Sequence, residues 1–301
     1  MMDAEHHDIM IRMVVRCIGL IPLFLRKAFF IGLWRIFYYV SPRHRFIALY
    51  NLRRAFPDKS TAEIVRIAQG AYRNLAIVCA EFFDLPKMNK SRLNGLLDIE
   101  GLERAQQALG KKKGLLFFGA HFGNWELMAV SVAVLIAPGV AVYRPLDNPW
   151  LERLIRYVRA VTGNIPVPKR RAMLQMFRCL ARNGTVGVLI DQNVSWKEGI
   201  FVDFFGRPAC TTDGLAQMAL KSETPVMPAF MVRKPDGRYR FVIGDEVSII
   251  RTGNWEADIK ANTQQFTSMI EDVIRQYPEQ WLWLHHRWKT KTYQALWLRS
   301  H

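Results

Sequence analysis

Positions 9–40 are the most apolar stretch of the chain, although basic residues interrupt them. The longest uncharged run there, 17–25, has nine residues, whereas a membrane-spanning helix needs roughly 20. On a helical wheel, all but one of the basic residues fall within roughly 100° of one another, and Pro22 predicts a kink. The basic residues are Arg12, Arg16, Arg26, Lys27 and, off that sector, Arg35.

An apolar helix with a basic stripe and aromatic residues is typical of a segment at the surface of an anionic bilayer. Residues 1–42 are therefore predicted to be an amphipathic membrane anchor. A cleaved signal peptide fits less well, because arginines lie inside the apolar stretch and no small-residue cleavage site follows it. A helix packed on the protein's own core remains an open alternative.

Helical periodicity continues over residues 43–95. A basic helix is predicted near 43–56, because Pro57 ends it. Ser60 and Glu63 have the spacing of a capping box, and the apolar residues that follow recur at helical intervals as far as Phe82. This helical part is expected to lie against the rest of the domain.

Short apolar runs alternate with amphipathic helices from about residue 97 onward. Strands are predicted near 97–100, 114–119, 139–143, 186–191, 225–232 and 239–245. Helices are predicted near 101–110, 124–136, 149–162, 170–182, 212–221 and 257–276. Such alternation indicates an α/β fold with a mixed sheet flanked by helices. Residues 43–301 are thus predicted to form one domain, with its α/β core at 96–290.

The charge balance changes this picture by pointing to an anionic partner. Against 26 acidic residues stand 42 Lys and Arg, a formal net charge of +16 in 301 residues. Nine basic residues cluster in 142–182, and any one of them is first read as part of a solvated helix face. The cluster is Arg144, Arg153, Arg156, Arg159, Lys169, Arg170, Arg171, Arg178 and Arg182.

The cysteines and histidines argue against a bound metal. The four cysteines include no Cys-x-x-Cys pair, and the seven histidines show no regular ligand spacing. No metal site and no disulfide framework are therefore predicted. This pattern fits a reducing compartment.

The main candidate for catalysis is the segment HFGNWE at 121–126, which links an apolar strand to a helix. On an ideal helix, His121 and Glu126 would be about 140° apart, so His121 must precede the helix. Asn124 is expected to cap the helix, and Gly123 lets the loop bend back. Glu126 would then accept a hydrogen bond from one imidazole nitrogen, leaving the other as a general base. The alternative is a capping Glu beside a core histidine.

The chain resembles the lauroyl/myristoyl acyltransferases of lipid A biosynthesis, within the His-x4-Asp/Glu glycerolipid acyltransferase superfamily. The resemblance extends over about 43–289 and rests on several motifs in order. They are NLRRAFP, HFGNWE, YRPLDNPWLERLIRYVR, the strand end at 187–192, GIFVDFFGRPACTTDGLAQMALKSETPVMPAF and PEQWLWLHHRWK.

The resemblance implies roles for particular residues. His121 and Glu126 would form the catalytic dyad, and Arg159 and Asp191 match further positions implicated in activity. Arg144 and Arg233 are candidates for contacting acceptor phosphate or the oxyanion. A buried Asp191 that bonds only backbone amides or a basic neighbour remains an alternative. The aromatic cluster at 281–288 is expected to serve packing.

The implied reaction is O-acyl transfer from an acyl carrier protein or coenzyme A thioester, a co-substrate, with no bound cofactor. The acceptor would be a hydroxyl of a lipid A precursor or a similar anionic glycolipid, or alternatively a lysophospholipid or another glycolipid. Gly-x-Ser-x-Gly is absent, which argues against a serine esterase. The expected location is the cytoplasmic face of the bacterial inner membrane, among anionic lipids.

Two other classes of function compete with this reading. A lipid hydrolase would use water as the acceptor. A non-enzymatic protein that binds anionic membranes or nucleic acid is suggested by the charge alone. The sequence contains no recognisable nucleic-acid module, so nucleic acid is not expected as a partner.

Overall fold

A computed structural model describes residues 2–169 and 172–292, so Arg170 and Arg171 lie outside the described residues. The helices are α1 (Met2–Leu20), α2 (Leu23–Val40), α3 (Pro42–Ala55), α4 (Thr61–Phe82), α5 (Lys90–Leu96), α6 (Leu102–Gly110), α7 (Trp125–Leu135), α8 (Pro149–Ala160), α9 (Ala172–Ala181), α10 (Gly214–Ser222) and α11 (Trp255–Gln276). The strands are β1 (Leu97–Glu100), β2 (Leu115–Gly119), β3 (Gly139–Tyr143), β4 (Ile165–Pro168), β5 (Thr185–Leu189), β6 (Gly199–Asp203), β7 (Pro208–Thr212), β8 (Val226–Arg233) and β9 (Tyr239–Ile243). Short 3₁₀ turns occupy Leu85–Lys87 and Pro278–Gln280.

Within the described residues, seven strands form one sheet in the order β1-β9-β8-β2-β5-β3-β4. The five from β8 to β4 run parallel, while β9 pairs antiparallel with β8 and parallel with β1. Strands β6 and β7 form a separate antiparallel hairpin. The prediction of a mixed α/β sheet flanked by helices is confirmed.

The central strand β2 is buried along its whole length, which explains its continuous apolar sequence. Leu116 and Phe118 pack into a core shared with α3, α4, α9, α10 and α11. Leu115 and Phe117, on the opposite face of the sheet, pack into a second core with α1, α5, α6, α7 and α8. Helices therefore cover both faces of the sheet, and the ends of the parallel strands stay available for a site.

The periodicity missed three strands. β4 carries Pro166 and Pro168, which hid it from a pattern reading, and it lies at the edge of the sheet, where proline is tolerated. The β6–β7 hairpin was missed as well. Its turn places Gly206 at φ +68°, a conformation that favours glycine.

The N-terminal segment folds as two helices, because Pro22 separates α1 from α2. Arg26 is 4% exposed and donates to the carbonyl of Ala80 at 2.7 Å and to the Asp84 carboxylate. Lys27 Nζ lies 2.9 Å from Glu81 Oε1. The expectation that these two cations face anionic lipid is therefore wrong, since Lys27 is paired with Glu81 of α4 and Arg26 with Asp84, two residues after that helix.

The outward face of α2 is apolar instead. Its most exposed large side chains are Phe24, Phe29, Ile36 and Val40, each 60% exposed or more. Phe29, Ile36 and Val40 follow one another at intervals of seven and four residues, which places these three along one side of the helix. Phe24, five residues before Phe29, is exposed at the start of the helix on a different side. None of the helices in the described part of the chain is both long enough and apolar enough to cross a bilayer.

Replacing Arg26 by Ala is expected to lower the free energy of unfolding by about 1–3 kcal/mol, because it leaves Asp84 with Lys87 as its remaining cation and the Ala80 carbonyl without its donor. Urea unfolding followed by circular dichroism measures the change. Arg35→Ala, which removes an exposed arginine from the same helix, should cost less than about 0.5 kcal/mol. Equal effects of the two substitutions would show that the Arg26 contacts contribute no specific stability.

Candidate active site

The HFGNWE segment forms a tight loop between β2 and α7. Asn124 caps α7 by accepting the amide N–H of Leu127 at 3.0 Å. Gly123 adopts φ +58°, and a Cβ atom there would lie 1.7 Å from the carbonyl oxygen of Met231. Only glycine therefore fits, and His121 stands before the helix, as predicted.

The 3₁₀ turn at Pro278–Gln280 and the residues after it also hold the loop. The Gly123 amide donates to the Gln280 carbonyl at 2.9 Å, and the Leu282 amide donates to the His121 carbonyl at 3.0 Å. Asn74 of α4 donates from Nδ2 to the Gly123 carbonyl at 2.9 Å. These bonds fix the backbone that carries His121.

The carboxylate that contacts the His121 ring belongs to Asp191, which follows β5, the parallel neighbour of β2. His121 Nδ1 lies 2.9 Å from Asp191 Oδ1, and the His121 amide donates to Asp191 Oδ2 at 3.0 Å. Trp281 donates from its indole N–H to Oδ2 at 2.8 Å. A carboxylate on Nδ1 places the proton there, so Nε2 carries the lone pair of a general base.

Electrostatics keeps Asp191 ionised despite its complete burial. Burial alone would raise the pKa of Asp191, but the charge of His121 and its hydrogen bonds lower that pKa well below the usual range. Arg287 lies in the same interior, where burial lowers its pKa to about 10. Burial lowers the pKa of His285 to about 4, so His285 is neutral near pH 7. His121 remains partly open, with 24% of its side chain exposed.

The Glu126 carboxylate, which the sequence predicted to accept from His121, accepts from Arg159 and Trp125. It accepts two hydrogen bonds from Arg159, at 2.9 Å and 2.5 Å, and one from the indole N–H of Trp125 at 3.0 Å. Burial raises the pKa of Glu126, but Arg159 more than offsets this and lowers it. The imidazole nitrogen that was expected to bond Glu126 bonds Asp191 instead, and Glu126 positions Arg159.

The other predicted site residues lie in different surroundings. The Arg159 guanidinium is 5.5 Å from the ring centre of Tyr143 at the end of β3. Arg144, the next residue, has 84% of its side chain exposed and lies 3.5 Å from the Asp147 carboxylate. Because β3 runs parallel to β2 and β5, Arg144 emerges at the same edge of the sheet as His121.

Arg233 lies in a buried polar network behind the loop. Its guanidinium donates to Glu81 and to Asn74, both at 3.1 Å, and its side chain is 11% exposed. Glu81 also accepts from Asn124 Nδ2 at 2.8 Å and from the Tyr239 hydroxyl. This placement favours support of the α7 cap by Arg233 over contact with an acceptor phosphate.

Sequence reasoning missed the partnership of Asp191 with His121, because 70 positions separate them. The available signal was that each follows a buried strand, and neighbouring parallel strands bring such positions together. It also missed Trp281, whose ring packs in the core as expected while its N–H reaches Asp191.

Asp191 orients the His121 ring at the carboxyl edge of the parallel strands. This is the geometry that a general base in an α/β enzyme requires. Residues 5–290 match the profile of the family described as bacterial lipid A biosynthesis acyltransferase. The chain therefore belongs to this family and is an acyltransferase.

Three relatives show the range of this similarity. A lipid A biosynthesis acyltransferase of Haemophilus influenzae is 30% identical over 84% of this chain and 79% of its own length. The lipid A biosynthesis lauroyltransferase of Escherichia coli K12 is 27% identical over 86% of this chain and 84% of its own. A phosphatidylinositol mannoside acyltransferase of Mycolicibacterium smegmatis is 24% identical over 75% and 72%.

Proposed function

We propose that this acyltransferase moves a fatty acyl chain from an acyl thioester to a hydroxyl of a lipid A precursor or a similar anionic glycolipid. The observation that carries the proposal is the 2.9 Å contact between His121 Nδ1 and Asp191, which leaves Nε2 as the base. The names of the relatives support the acceptor class. In place of a dyad of His121 with Glu126, the catalytic pair is His121 with Asp191.

In the proposed reaction, the acceptor hydroxyl attacks the thioester carbonyl while His121 Nε2 takes its proton. The C–O bond forms, and the carbonyl oxygen of the tetrahedral intermediate becomes negative. When that intermediate collapses, the C–S bond breaks and the imidazolium returns the proton to the departing thiolate. Asp191 stabilises the imidazolium between these steps and stays ionised throughout.

We assign Arg159 the role of the cation of the site, because its partner Glu126 interacts electrostatically with His121. Glu126 holds its guanidinium in a bidentate pair, which fixes the planar group in one orientation. A cation so placed stabilises the developing oxyanion or an acceptor phosphate. Glu126 thus acts through Arg159 and contributes negative charge near the imidazolium.

The donor is an acyl carrier protein or coenzyme A thioester, both of them anionic and matched to the +16 charge of the chain. The exposed apolar face of α2 anchors the enzyme at the cytoplasmic face of the inner membrane, where it meets anionic lipids. The phosphatidylinositol mannoside acyltransferase among the relatives makes a mannosylated phospholipid the second candidate acceptor.

His121→Ala is expected to lower acyl transfer by about 10³-fold or more while folding and membrane binding persist. Wild-type enzyme and variant are incubated with acyl donors and a panel of lipid A precursors, mannosylated phospholipids and lysophospholipids, and the products are weighed by mass spectrometry. His286→Ala removes an exposed histidine that makes none of the contacts described for His121, and it should retain wild-type transfer.

Two outcomes would contradict the proposal. Transfer retained by His121→Ala would remove His121 as the base. Acyl release by the wild type without any gain in acceptor mass would instead indicate a hydrolase.

A further inference from the structure

We propose that a second lipid-contacting surface, here named the edge rim, borders the active site and lies against an anionic phospholipid surface. The edge rim consists of Leu146 in the loop before α8, Trp150 and Leu151 at the start of α8, and Met173 and Leu174 at the start of α9. It is separate from the apolar face of α2. The inference rests on the proposed function and names the surface that directs the catalytic edge toward the bilayer.

Topology places the edge rim beside the catalytic residues. Its two parts follow β3 and β4, which run parallel to β5 and β2. The segments after parallel strands emerge at one edge of the sheet, and His121 and Asp191 lie at that edge. An acceptor held in a membrane under this edge would reach the base directly.

The apolar side chains of the edge rim face outward. Leu146 is 43% exposed, Trp150 37% and Leu151 42%, whereas Leu154 and Val158 form the buried side of the same helix. On α9, Met173 is 44% and Leu174 59% exposed. Large apolar side chains grouped in this way on a water-facing edge mark an interaction site.

The charged groups around the edge rim complement an anionic surface. Arg144, Arg153 and Arg156 are exposed. Glu152, by contrast, is turned inward, where its carboxylate accepts from the Tyr143 hydroxyl and from the Leu146 amide at 2.8 Å. The same bonds hold the β3–α8 loop in place. Exposed Asp147 lies 3.5 Å from Arg144 and offsets its charge, so Arg153 and Arg156 supply the net positive charge beside the exposed apolar side chains.

A lipid surface fits these features better than an acidic carrier protein. The apolar side chains extend from two separate helix starts, Asn148–Pro149 and Ala172. Trp150 among arginines is typical of the boundary between headgroups and acyl chains. An acidic protein would be bound through the arginines and would gain little from the exposed Trp and Leu.

The test compares vesicle binding of two matched double variants. Trp150→Ala with Leu151→Ser alters the edge rim. Trp255→Ala with Ile250→Ser alters side chains of similar exposure, 43% and 39%. They lie near the end of α10, just before β8, at the opposite, amino-terminal edge of the parallel strands: Lys221 Nζ is 5.5 Å from the centre of the Trp255 ring, and Arg251 donates to the Leu220 carbonyl. Both variants keep α2, so any difference between them reports on the edge rim.

Binding is measured by flotation with phosphatidylglycerol–phosphatidylethanolamine vesicles, without donor or acceptor. The edge-rim variant is expected to bind about tenfold more weakly, and the control variant within about twofold of wild type. Equal binding by both variants would overturn the proposal. So would unchanged vesicle binding together with weakened binding of an acyl carrier protein in solution.

This assay separates failure of the edge rim from failure of the proposed function. His121→Ala should bind vesicles like the wild type, because its side chain lies outside the edge rim. Retained transfer by His121→Ala would refute the assigned chemistry and leave the vesicle result standing. Equal vesicle binding would refute the edge rim and leave the chemistry standing.

Discussion

Replacing Asp191 by Asn is expected to lower kcat for acyl transfer by about 10²–10⁴-fold with little change in KM. Three donors converge on the two carboxylate oxygens: the His121 amide and the Trp281 indole on Oδ2, and His121 Nδ1–H on Oδ1. An amide has only one acceptor atom. In one orientation its NH₂ group meets the amide and indole donors, and in the other it favours the His121 tautomer protonated on Nε2, which cannot act as the base.

The pH–rate profile supplies a second readout of the same substitution. Removing a buried negative charge beside the ring destabilises the imidazolium, so the ascending limb of the residual rate should move to lower pH. Asp258→Asn is the matched control, because Asp258 is also buried and accepts backbone N–H groups, from Thr252 and Gly253. It should cost stability and leave kcat near the wild-type value.

The comparison also decides between the two carboxylates. If Asp191→Asn kept wild-type kcat and Glu126→Gln abolished transfer, the partner of His121 in the reaction would be Glu126. The observed contacts favour the opposite result, because Arg159 and Trp125 occupy the Glu126 oxygens.

The fold followed from the sequence where periodicity and burial agree. The buried run at 115–119 and the capping box of Ser60 and Glu63 are present as predicted. Edge strand β4 and the β6–β7 hairpin were not predicted, because prolines and a turn interrupt the alternation of apolar and polar residues that identifies a strand. Strand order and register depend on long-range packing, so local patterns could not specify them.

The site was predictable only as far as local spacing reaches. The loop of His121, Gly123 and Asn124 could be placed from the turn and cap that it needs. The partner of His121 could not, because a carboxylate five residues away and one on the next strand are equally compatible with the sequence. The sheet decides between them by bringing Asp191 beside His121.

The N-terminal cations also show that local sequence patterns do not identify long-range partners. A helical wheel identifies a basic stripe but not what it faces. Arg26 pairs with Asp84 and Lys27 with Glu81, so their charge is neutralised inside the protein. Lys27 and the cap residue Asn124 share the Glu81 carboxylate, which ties α2 to the start of α7.

Trp281→Phe is expected to lower kcat by about 10–100-fold with KM nearly unchanged. Effects of this size are typical when a residue that hydrogen-bonds to a functional side chain, without touching the substrate, is removed. The indole N–H of Trp281 donates to Asp191 Oδ2 at 2.8 Å, and the ring is 1% exposed. Phenylalanine keeps an aromatic ring but removes the donor, so the carboxylate loses one of the bonds that fix its orientation toward His121. His121 Nε2, which takes the proton, is then held less firmly in line with the hydroxyl of the acceptor lipid.

Trp283→Phe separates this effect from a loss of packing. Trp283 is fully buried and its ring lies 4.5 Å from that of Trp281, but its indole N–H donates to the Pro278 carbonyl at 2.7 Å. Both substitutions leave a similar cavity and remove one hydrogen bond, so each should cost about 1–3 kcal/mol in urea unfolding. Steady-state kinetics should show the loss of kcat in Trp281→Phe alone. Equal losses in the two variants, or wild-type kcat in Trp281→Phe, would mean that the indole of Trp281 serves packing and that the His121 amide and imidazole suffice to hold Asp191.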